Sequence, residues 1–201
     1  MKQLYLDAAA TTPVYKESVD EMEKYLVEQF GNPSSTHEMG EKASRALKKS
    51  REIIAKEINA QPQEIIFTSG GTESNNLAIQ GLSRAEPNKK TILISAIEHH
   101  SVSEICKYLQ TQDYKIIKIP VSQEGIIDFN FLKNQIEKES KDILLVSIMH
   151  VNNIIGTIQD IEKIGKLCNE KNILFHSDAV QSFCKLKIDL KKMNIDLLSA
   201  S

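Results

Sequence analysis

The chain has 201 residues, 41% of them hydrophobic and 26% charged, with a formal net charge of −2. That balance excludes a disordered chain, and the scattered Lys and Arg leave no electrostatic footprint for nucleic acid. Cys106, Cys168 and Cys184 are far apart and odd in number, which argues against a disulfide framework and for a reducing, cytoplasmic setting. The start, MKQLYLDAAATT, is too short and polar for a signal peptide, and no apolar run approaches the ~20 residues of a membrane-spanning helix.

In chain order, Val19, Met22, Leu26 and Phe30 recur at helical spacing and predict a helix over 16–30. Gly31-Asn32-Pro33 is expected to end it, with a left-handed cap at the glycine. A second helix is predicted over 38–59, with Ala43, Ala46, Leu47, Ile54 and Ile58 as its buried stripe. The pattern then changes to short apolar runs: 64–67, 91–94, 115–119, 143–148, 173–175 and 195–198. Most are apolar on consecutive residues, as expected of strands covered on both faces. Helical patterns lie between them, such as Ile161, Ile164, Leu167 and Cys168. The alternation predicts an α/β fold, a three-layer α/β/α arrangement around a mostly parallel sheet.

Polar clusters follow five of these runs: Thr68 to Asn76, Ser95 to His100, Met149 to Asn153, His176 to Gln181, and Ser199 to Ser201. Each alone has an ordinary explanation as a turn, a helix cap or a structural histidine. Parallel strands share one C-terminal edge, however, and ligands bind there. Gly71 and Thr72 at a helix start suit a phosphate, although neither a P-loop nor GxGxxG is present. Asp178 suits a protonated ring nitrogen. The flat His99 ring suits stacking, and the amides of Asn153 and Gln181 suit a ring hydroxyl. Together these groups describe pyridoxal 5′-phosphate (PLP).

Seven segments carry a resemblance to a known family: LYLDAAATTPV, FGNPSSTHEMG, FTSGGTESNN, EHHSV, SIMHVNNIIGTIQDI, FHSDAVQS and DLLSAS. The chain resembles the amino-terminal half of a cysteine desulfurase, a member of the class-V aminotransferase superfamily with the type-I PLP fold. The resemblance implies that residues 1–201 form an incomplete PLP-binding large domain. Residues 1–30 would pack on a small domain or a dimer partner. Gly71, Thr72 and Ser201 would hold the cofactor phosphate. His99 would stack on the ring and move protons, Asn153 would lie near the ring oxygen and substrate carboxylate, Asp178 would pair with the ring nitrogen, and Gln181 would bond the ring oxygen. Ala8 to Thr12 and Asn32 to Ser35 would line the substrate mouth.

The same resemblance implies that a His-Lys pair would follow Ser201 within two or three residues, its lysine carrying the cofactor. The persulfide-bearing cysteine, the carboxylate-binding arginine and the small domain would lie further on. The chain by itself is therefore expected to be inactive, as a fragment, a truncation or half of a split enzyme. Cys106, Cys168 and Cys184 are expected to serve in packing. Ile154 departs from the family, which usually has an acidic residue there. The implied reaction takes sulfur from L-cysteine, leaving L-alanine and a protein persulfide for an iron–sulfur scaffold or sulfur-carrier protein, in a homodimer that binds neither nucleic acid nor membrane. The alternatives are a selenocysteine lyase or aminotransferase of the same superfamily, a metal-dependent hydrolase using His99, His100, His150, His176 and Asp178, and an inactive interaction module.

Overall fold

The expected alternation of strands and helices is present in a computed structural model that describes residues 4–201. Residues 1–3, the start of the expected spans 1–30 and 1–201, lie outside the described residues. The chain divides into two compact units, one reaching Ile66 and one running from Phe67 to Ser201.

The first unit holds two helices, α1 (Lys16–Val27) and α2 (Glu38–Glu57). Helix α1 stops short of the expected end, on Glu28 in right-handed geometry, so Gly31 is not its cap. Gly31 is needed for another reason. A Cβ there would lie 2.3 Å from the Met39 carbonyl oxygen, so the chain crosses itself too closely for any side chain. Val19, Met22, Leu26 and Phe30 are exposed, so the α1 stripe is not buried within the described residues. Of the expected α2 stripe, Ala43 and Ile58 are buried and Leu47 is exposed.

The run 64–67 is not a strand. Pro62–Glu64 forms a 3-10 turn in which the Glu64 side chain accepts the Gln61 N–H at 2.7 Å. Arg51 donates to the Ile65 carbonyl. Proline cannot donate to a ladder, and no strand pairs with 65–67 among the described residues, so Ile66 stays 68% exposed.

In the second unit the chain runs α3 (Gly71–Ala85), β1 (Thr91–Ser95), α4 (His100–Gln110), β2 (Lys115–Ile119), α5 (Phe129–Glu139), β3 (Ile143–Ser147), α6 (Ile161–Glu170), β4 (Leu174–Asp178), α7 (Leu190–Met193) and β5 (Leu197–Ser199). The strands form one sheet in the order β2-β1-β3-β4-β5, every pairing parallel. β1 and β3 are buried along their whole length, while β2 and β5 are only partly covered. The runs without alternation are thus the central strands. Ile79 of α3 packs with Val102, Ile105, Cys106 and Leu109 of α4 over Ile92, Ile94 and Leu144. The chain moves leftward in the sheet through α4 and rightward through α5 and α6. Right-handed crossovers therefore put α4 on one face and α5 and α6 on the other.

Asp128, Asp160 and Asp189 cap α5, α6 and α7 by accepting N–H groups at 2.9, 3.1 and 3.0 Å. The four-residue α7 is too short to show a period, which is why the sequence pattern does not announce it. Among the described residues no helix is long and apolar enough to cross a membrane.

Candidate cofactor site

Chain direction reverses between β1 and β3, and such a switch point opens a crevice at the strand C-termini. The loops after β1, β3, β4 and β5 are the expected polar clusters. The fifth cluster opens α3 rather than following a strand, but it reaches the same edge. A Cβ on Gly71 would lie 2.7 Å from Val180 Cγ2 and 3.7 Å from the Ser201 Cβ. The first intrahelical bond of α3 runs from the Ser74 N–H to the Gly70 carbonyl at 3.0 Å. The N–H groups of Gly71, Thr72 and Glu73 precede it and have no partner within the helix. Ser74 Oγ donates to Ser199 Oγ at 2.9 Å, fixing the helix start to β5.

Asp178 ends β4 and is 5% exposed. Its Oδ1 accepts the Val180 N–H at 3.0 Å, and its Oδ2 accepts Asn75 Nδ2 at 2.8 Å. No cationic side chain pairs with it among the described residues. Gly71, Val180 and Ser201 are therefore brought together, with Asp178 bonded to the Val180 N–H. Thr72 and His99 share the wall of a cavity of about 460 Å³. His99 is the N-cap of α4, where Nδ1 accepts the Ser101 N–H at 3.1 Å. The ordinary reading of this histidine, as a hydrogen-bonded structural residue, therefore applies.

Asn153 lies half-buried in the loop after β3. The buried Asn152 beside it shapes that loop. Its Oδ1 accepts the Ile154 and Ile155 N–H groups at 2.9 and 3.0 Å, and its Nδ2 donates to the Ile97 carbonyl at 3.0 Å. Ile154 points into solvent, 84% exposed. Gln181 lies half-buried in the turn after Asp178.

Asn75, Ser101 and Glu98 are assigned no role by the sequence, and His176 only that of a metal ligand. Asn75 and Ser101 link Asp178 to the His99 cap, since Asn75 Nδ2 donates to Ser101 Oγ as well, at 2.8 Å. Glu98 spans the switch point: its Oε1 accepts the Ser95 hydroxyl and, at 2.9 Å, the Met149 N–H. Its buried Oε2 has no partner among the described residues. Burial pushes the Glu98 carboxyl up to about 8, assisted by the nearby Asp178 charge and opposed by the two bonds just named. His176 is buried in β4 between Ser147 Oγ at 2.8 Å and Ser199 Oγ at 3.0 Å, and burial pushes it down to about 4. Glu98 and Asn75 stand inside recognisable segments, but their roles depend on contacts 51 and 103 residues away along the chain.

Cys106 and Cys168 are buried, and burial pushes each thiol up to about 12, in line with packing roles. Cys184 departs from that expectation: it is exposed, in a turn that holds its φ at 58°. Among the described residues no three His, Cys, Asp or Glu side chains are arranged to hold a metal ion. His176 has both ring nitrogens engaged by serines, so it is not available as the ligand a metal hydrolase would need.

The sequence profile described as aminotransferase class-V matches residues 4–201. The chain belongs to the class-V aminotransferase family. It is 46% identical to the cysteine desulfurase IscS of Dictyoglomus turgidum over all 201 residues, which is 50% of that protein. It is also 46% identical to the mitochondrial cysteine desulfurase of Candida albicans over 202 aligned positions, 41% of that protein. Among solved structures, a NifS-like protein superposes with a TM-score of 0.95 at 37% identity, over all of this chain and 55% of that one. SspA in complex with cysteine superposes at 0.93 with 43% identity, over 98% of this chain and 56% of that one. The fold of this class-V chain is thus that of the NifS-like cysteine desulfurases, the type-I fold of PLP enzymes. The chain spans about half the length of the curated relatives it matches.

Proposed function

We propose that this edge of the sheet binds PLP and that the chain forms the cofactor-binding part of a cysteine desulfurase. The observation that carries the reading is Asp178: a buried carboxylate held by two N–H donors and matched by no cation among the described residues. Burying an unmatched charge is costly, and a protonated ring nitrogen would offset that cost. The Gly71 cradle fits the other end of the same group. A side chain there would collide with Val180, whereas phosphate oxygens can reach the N–H groups that the helix start leaves without intrahelical partners.

In this reading Gly71, Thr72 and Ser201 hold the phosphate, Asp178 keeps the ring nitrogen protonated, and Asn153 and Gln181 bond the ring oxygen. When bound, PLP supplies an electron sink for charge developing at the substrate Cα. His99 stacks against the ring. Its Nδ1 is engaged by Ser101, so Nε2 is the atom that moves a proton. By analogy with the named relatives, the substrate is L-cysteine. Its sulfur would leave as a protein persulfide for a scaffold or carrier protein, in a homodimer in the cytoplasm. The exposed α1 stripe supports residues 1–30 as a surface that packs on a second subunit or a small domain.

Titrating the chain with PLP and following fluorescence tests the cofactor reading. Asp178→Asn should weaken binding by about tenfold or more, the scale of one charge-assisted hydrogen bond. Pyridoxal without its phosphate should compete poorly, and inorganic phosphate should compete with PLP. Equal affinity of the parent and Asp178→Asn would refute the assignment. The substrate reading is tested by alanine release from L-cysteine in the complete protein.

A further inference from the structure

We infer that Asn75 and Ser101 are positioning residues through which the Asp178 carboxylate fixes which nitrogen of His99 carries the proton. Asn75 is fully buried, and its Nδ2 donates in two directions, to Asp178 Oδ2 and to Ser101 Oγ, each at 2.8 Å. Its Oδ1 is buried without a partner among the described residues. An unpaired buried oxygen is costly, yet turning the amide over would set that oxygen against a carboxylate oxygen. The carboxylate therefore dictates the amide orientation, and both amide protons are spent.

The direction of every later bond follows. Ser101 Oγ accepts from Asn75, so its single proton is free to go to His99 Nδ1, 2.8 Å away. The Ser101 N–H reaches the same nitrogen at 3.1 Å. With two donors aimed at it, Nδ1 is the lone-pair nitrogen of the neutral ring. The proton sits on Nε2, across the ring from this chain of bonds. The catalytic role assigned to His99 rests on the cofactor reading, but the tautomer does not.

The consequence is a coupling between two groups that do not touch. In Asp178→Asn the retained Val180 N–H holds the new amide oxygen in place of Oδ1, which leaves the new amide nitrogen facing Asn75. Asn75 then turns over, its oxygen accepts from both that nitrogen and the Ser101 hydroxyl, and the hydroxyl proton is diverted from His99. The experiment is long-range 1H–15N correlation on labelled chain without PLP, reading the Nδ1–H and Nε2–H populations of His99. The parent should show Nε2–H. Ser101→Ala and Asp178→Asn should each raise the Nδ1–H population two- to tenfold, the scale of one net hydrogen bond, and Ser101→Thr should restore the parental ratio. Ser101→Ala and Asp178→Asn are nearly isosteric, Ser101→Thr adds one methyl group, and far-UV circular dichroism checks the fold. A ratio unchanged in Ser101→Ala, or changed there but not in Asp178→Asn, would overturn the coupling. The measurement needs no cofactor, so weak PLP binding with the predicted tautomers would count only against the proposed function.

Discussion

Replacing Glu98 with glutamine should change how the stability of the chain depends on pH. The Glu98 carboxyl rises from an ordinary 4.5 to about 8, chiefly because its oxygens are buried at the junction of β1 and β3. In the folded chain it keeps its proton until about pH 8, whereas in the unfolded chain it has released it near 4.5. The folded state holds the extra proton across that window, so stability is greatest below it and falls as pH rises through it. At about 1.4 kcal/mol for each tenfold change in acidity, the loss is about 5 kcal/mol by about pH 9. That is a large share of the roughly 5–15 kcal/mol typical of a folded domain. Glutamine keeps the acceptor that meets Ser95 and Met149 and cannot ionise. It should lower stability at about pH 5 by about 1–3 kcal/mol, because its buried N–H groups lack an acceptor, and should show little further loss as pH rises. Urea midpoints on the acid and alkaline sides of the window, followed by far-UV circular dichroism, give both slopes. Parallel losses in the two proteins would show that the pH dependence comes from a group other than Glu98.

His176 should act in the opposite sense. Its folded value of about 4 lies below the ordinary 6.5, so the unfolded chain takes up the proton first and about 3 kcal/mol is lost as pH falls from 6.5 to about 4. The two slopes oppose each other between about pH 4.5 and 6.5. Urea melts of His176→Gln in the Glu98→Gln background should therefore be flatter on the acid side, and an unchanged acid slope would count against the buried neutral ring. Of the three cysteines only Cys184 is exposed, so a chromogenic disulfide reagent should titrate one thiol rapidly in the native chain and three after denaturation. Fast reaction of a second thiol would show that α4 or α6 opens locally.

The strands were legible where burial on both faces removes the polar half of the pattern. Ile92 to Ile94 and Ile143 to Val146 read as strands because nothing at those positions meets water. Ile65-Ile66-Phe67 has the same composition and misled, because composition reports a preference for pairing and not the presence of a neighbour. The α1 stripe was legible as amphipathic, but a period carries no information about what covers the face. Asp178 and Ser201 were expected at one edge because parallel strands share it, and β4 and β5 do pair in parallel there, whereas Gly71 opens α3 with no strand before it. Glu98, Asn75 and Ser101 escaped, and His176 was legible only as a metal ligand, for one reason: a polar residue declares its partner only through tertiary contact. Cys184 was misjudged because the apolar character of a thiol says nothing about a turn that carries it into solvent.

The shortness of β5 has a consequence for how the molecule loosens. A strand of three residues has few ladder bonds of its own, and Ser199 adds two side-chain ties, one to the histidine of the neighbouring strand and one to the first turn of α3. Fraying at this margin cannot be a purely local event. Detaching the margin also unfastens the amide-rich helix opening, so the order of the α3 N-terminus and the integrity of the outermost strand rise and fall together.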